Sequence, residues 1–114
     1  MFGQIAGYQI KPGKLSKFDR AFTERILPTL RKQHGFVEEI RMASDTMADR
    51  NVKNAGRMES ISIWVEEKDL REYEKAFGTQ VKEILAPFLQ SEPQIVDHSS
   101  VERSGVEVRV AGVA

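Results

Sequence analysis

The chain has 114 residues, enough for one domain and one hydrophobic core but not for two that would each fold alone. Lysine plus arginine and aspartate plus glutamate both total 17, so no net field draws the protein to nucleic acid, anionic lipid or an acidic partner. It has no cysteine, which excludes disulfides, thiolate metal sites, iron–sulfur clusters and thiol nucleophiles.

The N-terminal segment MFGQIAGYQIKPGK has no basic leader before an apolar run, and no stretch approaches the ~20 apolar residues that span a bilayer. The expectation is a soluble cytoplasmic protein. Residues 2–10 are short and rich in β-formers, and Lys11-Pro12-Gly13 closes them, which predicts a first strand. From Lys14 to His34, Leu15, Phe18, Phe22, Ile26 and Leu30 recur every three or four positions, within a stripe roughly 120° wide on a helix that Gly35 stops. Pro28 lies inside this helix and predicts a kink between Glu24 and Pro28.

Residues 36–43 read as a second strand with Phe36, Glu38, Ile40 and Met42 sharing one face. The polar stretch 44–57 is long for a hairpin turn and reads as a flap. Residues 58–65 alternate cleanly, with Ile61, Ile63 and Val65 on one face and Ser60, Ser62 and Trp64 on the other. Glu66 to Phe77 carries acids in its first turn and predicts a helix that Gly78 interrupts. A further helical segment is predicted after Thr79 as N-cap, with Val81, Ile84, Leu85, Phe88 and Leu89 at core-facing spacing and Pro87 shortening its end. A fourth strand is expected from Gln94 to Val101.

This order gives the fold class: α+β, a ferredoxin-like split βαβ with an antiparallel sheet and two helical segments on one face. The domain is assigned to residues 1–103. Residues 104–114 form a C-terminal tail in which Val106, Val108 and Val110 alternate, a candidate for an extra or exchanged strand. Nothing in the chain covers the sheet's second face, so the expected partner is a second copy paired through that face as a dimeric α+β barrel.

Several residues carry a resemblance to a known family: Lys11-Pro12-Gly13-Lys14 before an amphipathic helix, Ile26-Leu27-Pro28 within it, Gly35-Phe36 after it, and Ile63-Trp64 leading into a second helix. With these the chain resembles the antibiotic biosynthesis monooxygenase superfamily over about residues 2–100. The resemblance implies a homodimer made by opposed sheets, a pocket between sheet and helices, and a cofactor-independent monooxygenase taking a small aromatic or quinol-type substrate. A non-catalytic dimeric small-molecule-binding or stress-associated module of the same fold is the alternative.

The resemblance also singles out Trp64, because some members use a tryptophan on this strand with an asparagine four residues before it to hold a phenolic substrate. Here the earlier position is Ser60, whose hydroxyl lacks the amide's separate donor and acceptor. The plain reading of Trp64 is a packing residue with its indole N–H tied to a neighbour. The haem-degrading branch is a poorer match: Tyr73 stands about where it would have a tryptophan, and neither His34 nor His98 falls at its ligand position. No cofactor is expected, haem included.

Tyr73 and Phe22 are candidates for a pocket wall. Asp19 lies inside the helical stripe, where an unpaired carboxylate is costly, and is a candidate pocket base unless the kink turns it to the rim or an arginine neutralises it. Asp45 and Asp49 do not make a calcium loop and no histidine pair has zinc spacing, so no metal is expected.

Overall fold

The computed structural model describes residues 1–43 and 56–102. The flap read into 44–57 and the alternating tail therefore lie almost wholly outside the described residues. The elements in chain order are β1 (Phe2–Ile10), α1 (Leu15–Ala21), a π-helical turn (Phe22–Ile26), α2 (Leu27–Arg31), β2 (Phe36–Ala43), β3 (Gly56–Trp64), α3 (Glu67–Leu85), a 3₁₀ turn (Ala86–Phe88) and β4 (Gln94–His98). The strands form one antiparallel sheet in the order β2-β3-β1-β4. This is the expected ferredoxin-like arrangement, with the helices on one face. Among the described residues no helix is long and apolar enough to cross a membrane.

The π turn has a cause in the sequence. Phe18, Phe22, Ile26 and Leu30 are all buried and stand four apart. At 3.6 residues per turn, three steps of four drift by about 120° around the axis, and one wide turn takes up part of that drift. Pro28, which has no N–H to offer the Glu24 carbonyl, sets the interruption where the kink was expected.

Gly35 then turns the chain into β2 at φ +78°, and a Cβ there would collide with the Asp69 carboxylate. Asp69 is buried and closes the capping box of α3, where its Oδ2 accepts from the Glu66 N–H at 3.2 Å. Gly35→Ala should cost at least about 2 kcal/mol, combining left-handed strain with a displaced cap, as read by urea unfolding.

Gly78 does not interrupt the second helix: α3 runs unbroken from Glu67 to Leu85, and Thr79 lies inside it rather than capping a new segment. A mid-helix glycine costs about 1 kcal/mol, too little to break a helix whose two ends are both packed. Phe36 does not share a face with Ile40 and Met42. A bulge between Phe36 and Glu38 sets Phe36 opposite Trp64, while Glu38 pairs with Ile63. β4 is also shorter than expected and ends at His98, although the Val101 N–H still reaches the Met1 carbonyl at 2.9 Å.

The registers give each face of the sheet. Phe2, Gln4, Ala6 and Tyr8 of β1 stand across from Trp64, Ser62, Ser60 and Met58 of β3, and these face the helices. Arg41 and Glu39, across from Ser60 and Ser62, extend this face onto β2. On the far face Ile40, Ile61, Ile5 and Val96 line up across all four strands. Ile40 and Val96 are 40 % and 52 % exposed.

Candidate functional site

On the helix side, the sheet and helices do not close completely. They leave a cavity of about 500 Å³ whose floor is the sheet and whose roof is the π turn and α3. Its presence follows from residue size, because Ala6, Ser60 and Ser62 put small side chains on the floor where a core would carry large ones. Gly78 opens the roof as well, since a Cβ there would meet nothing within 4 Å.

The sheet-face alternation brings Trp64 and Ser60 to the cavity wall, and Tyr73 and Phe22 join them from the helices. Trp64 is fully buried, packed edge-on against Phe36 (centroids 5.5 Å apart) and beside Tyr73 at 5.6 Å. Its Nε1–H donates to the Ser62 hydroxyl at 3.1 Å. Trp64 is therefore both a packing residue with a tied indole and part of the wall. Asp19 is not part of the wall. Its carboxylate accepts from Arg41 Nη1 at 2.6 Å, with the Asp19 side chain more than half exposed. Arg41 also donates to the Thr23 hydroxyl and lies over the Phe22 ring. Asp19 has left the stripe for the rim, with an arginine neutralising it.

Three carboxylates line the cavity, Glu39 from β2, Glu74 from α3 and Glu92 just before β4, and the sequence reading passed over Glu39. Phe36, Ile40 and Met42 look like the core side of β2, which assigns Glu39 to solvent. The opposite holds, because the aliphatic residues of β2 face the open side. A usable signal was present: Glu39 and Arg41 alternate on one face of β2, and a charged pair at that spacing marks a polar side of a strand.

Burial is the main force on the Glu39 carboxyl and pushes it up to about 8, against opposing pulls from Arg41 and from a hydrogen bond with Ser60. Among the described residues, Glu39 Oε1 is the one buried side-chain nitrogen or oxygen with no hydrogen-bond partner. Burial likewise raises the Tyr73 phenol to about 12, helped by Glu39 and Tyr8, and raises Tyr8 although Ser60 hydrogen-bonds it. Both phenols stay protonated around neutrality and so have an O–H to offer a bound molecule.

One end of the cavity is braced by charge. Arg71 of α3 holds Glu67, Glu74 and Asp97, and the Gln4 amide donates to Glu74 at 3.2 Å and Asp97 at 3.1 Å. The Arg71 guanidinium keeps the Asp97 carboxyl below its usual range. This brace ties α3 to β1 and β4. His34 lies 3.9 Å from Asp69 at the protein surface, away from the cavity, and no group of three potential metal ligands gathers among the described residues.

Comparison with curated proteins returns no match. Solved structures sharing the fold include a monooxygenase from the ActVA-Orf6 gene of Streptomyces coelicolor in complex with nanaomycin D. It is 17% identical, covers 90% of this chain and 88% of that one, and has a TM-score of 0.70. SnoaB, a cofactor-independent oxygenase from Streptomyces nogalater, is 13% identical over 90% of this chain and 95% of its own, at 0.70. A conserved protein from Methanosarcina mazei is 19% identical over 88% and 92%, at 0.66. At these identities the likeness speaks for the fold. The sequence itself matches the profile described as antibiotic biosynthesis monooxygenase over residues 1–84, from β1 almost to the end of α3, and the chain belongs to that family.

Proposed function

We propose that this protein is a cofactor-independent monooxygenase that oxidises a small aromatic or quinol-type substrate held between sheet and helices. The observation that carries the reading is the cavity: about 500 Å³, walled by Trp64, Tyr73 and Phe22, with a few polar groups on its floor. That volume and composition suit a flat aromatic molecule oriented by one or two hydrogen bonds. Nanaomycin D bound in one fold relative supports the substrate class, and the cofactor independence of another supports a reaction without a cofactor.

The reaction needs only substrate and dioxygen. A phenol loses its hydroxyl proton, and the electron-rich ring passes electrons to dioxygen in one-electron steps until a carbon–oxygen bond forms. Loss of the ring proton and cleavage of the O–O bond leave one oxygen as a quinone carbonyl and the other as water. The chain's part is to desolvate the ring, position it, and hold the hydroxyl oxygen.

Oxygen uptake with a panel of naphthols and hydroquinones tests the reading. One quinone carrying one new oxygen, a hydroxyquinone where the substrate is a hydroquinone, should form per dioxygen consumed, with water and no hydrogen peroxide as the second product and no effect of chelator. Gly78→Leu, which fills the roof of the cavity without displacing a neighbour at Cβ, should abolish uptake with the fold intact by circular dichroism. Binding of these compounds without uptake would instead favour a small-molecule-binding module of the same fold. The engagement of the Trp64 indole N–H by Ser62 is the observation on that side.

We propose further that the protein forms a homodimer through the open sheet face. The row Ile40–Ile61–Ile5–Val96, with Met42 beside it 47 % exposed, is an aliphatic band on the side that carries no helix. A second copy related by twofold symmetry would cover band with band.

A further inference from the structure

We propose that Glu39 takes the hydroxyl proton of a neutral phenol or quinol bound in the cavity, and returns it to the departing oxygen. This rests on the oxygenase reading above and assigns its acid–base group. The geometry carries the assignment. Glu39 lines the cavity from β2, Ser60 hydrogen-bonds its carboxyl, and Oε1 is buried with no partner among the described residues. A buried acceptor left unsatisfied is costly, and a cavity beside it offers the missing donor a place to sit.

The groups facing Glu39 leave it this role. Arg41, its neighbour on β2, is committed to Asp19 and Thr23 at the rim. Tyr8 from β1 and Tyr73 from α3 hold their protons too firmly to accept another's, and Ser60 from β3 is a neutral hydroxyl. Glu74, which also reaches the cavity, is held by Arg71 and Gln4, and the remaining charged lining residues, Lys82 and Glu92, are exposed to solvent. A carboxyl that titrates near 8 is matched to exchanging protons around neutral pH.

The cycle balances. The phenol O–H proton passes to Glu39 as the carbanionic ring forms. The ring carbon bonds to oxygen and loses its own proton, and the O–O bond breaks. The Glu39 proton and the ring proton leave together on the departing oxygen as water, restoring the carboxylate.

The test compares wild type, Glu39→Gln and Glu39→Asp from about pH 5.5 to about 9.5 in enzyme-dependent oxygen uptake with 1,4-naphthohydroquinone, corrected for autoxidation and paired with assay of the hydroxynaphthoquinone formed. Wild-type kcat/KM should rise about tenfold per pH unit and level off above about 8, because only the deprotonated carboxylate accepts. Glu39→Gln should lose about a hundredfold or more in kcat and lose the slope, with KM nearly unchanged. Glu39→Asp should keep the slope at reduced rate, and it carries the test if the glutamine variant does not fold. An active wild type whose glutamine variant keeps both rate and slope overturns the role of Glu39 alone. A wild type that consumes no oxygen overturns the oxygenase reading, and this role with it.

Discussion

Trp64→Ala should destabilise the protein by about 3–5 kcal/mol in urea unfolding, the largest loss expected from any single truncation. Trp64 is fully buried at the meeting point of β3, β2 and α3, with Phe36 edge-on to one side and Tyr73, backed by Phe77, on the other. Removing the indole opens a hole next to an existing cavity and leaves the Ser62 hydroxyl without its donor. Trp64→Phe should cost about 2 kcal/mol, since a ring remains but some volume and one hydrogen bond are lost. The two variants separate the residue's two roles. If Trp64→Phe stays folded and keeps the wild-type oxygen uptake, its indole serves packing alone.

Ile40→Glu should convert a dimer into a monomer, weakening association on the order of a hundredfold or more. Twofold symmetry places the substitution in the interface twice, so two carboxylates would be buried in an aliphatic band whose nearby cation on this face, Arg57, already stands by Glu59. Because Ile40 is already 40 % exposed in the single chain, the subunit itself should stay folded. Sedimentation velocity across a protein dilution series reads the change. A wild type that sediments as a monomer at micromolar concentration would remove the pairing proposal outright.

The course of the chain was largely legible in the sequence. β1 and β2 are bounded by Lys11-Pro12-Gly13 and Gly35, breakers whose backbone demands act locally, and both strands fall where those residues predict. The break assigned to Gly78 failed for an instructive reason. Gly35 stops a helix because a positive φ is needed there, whereas Gly78 keeps a helical backbone and serves instead to leave space. Sequence alone does not separate these two uses of glycine.

The site was legible where alternation could speak. Ser60 and Trp64 share a face by simple parity, and the structure puts that face toward the helices. Asp19 illustrates the limit of helical periodicity: the stripe is correct for Phe18 and Phe22, but a carboxylate at its edge turns outward once Arg41 arrives from a strand distant in sequence. Glu39 was hidden by the habit of assigning a strand's aliphatic side to the core, which fails when a sheet has two covered or coverable faces.

On β2 and β3 that habit is inverted, with Ile40, Met42 and Ile61 turned away from the helices and Glu39, Ser60 and Ser62 turned toward them. The floor of the cavity is thus a region where the chain forgoes stability it has the means to acquire. Aliphatic residues at Glu39, Ser60 or Ser62 would fill space and spare a buried carboxyl its desolvation, and a selection for thermostability alone would drive these positions that way. Variants hardened by such a route would trade away the polar floor first. The positions where stabilising substitutions accumulate and activity disappears together would map the binding site without any ligand in hand.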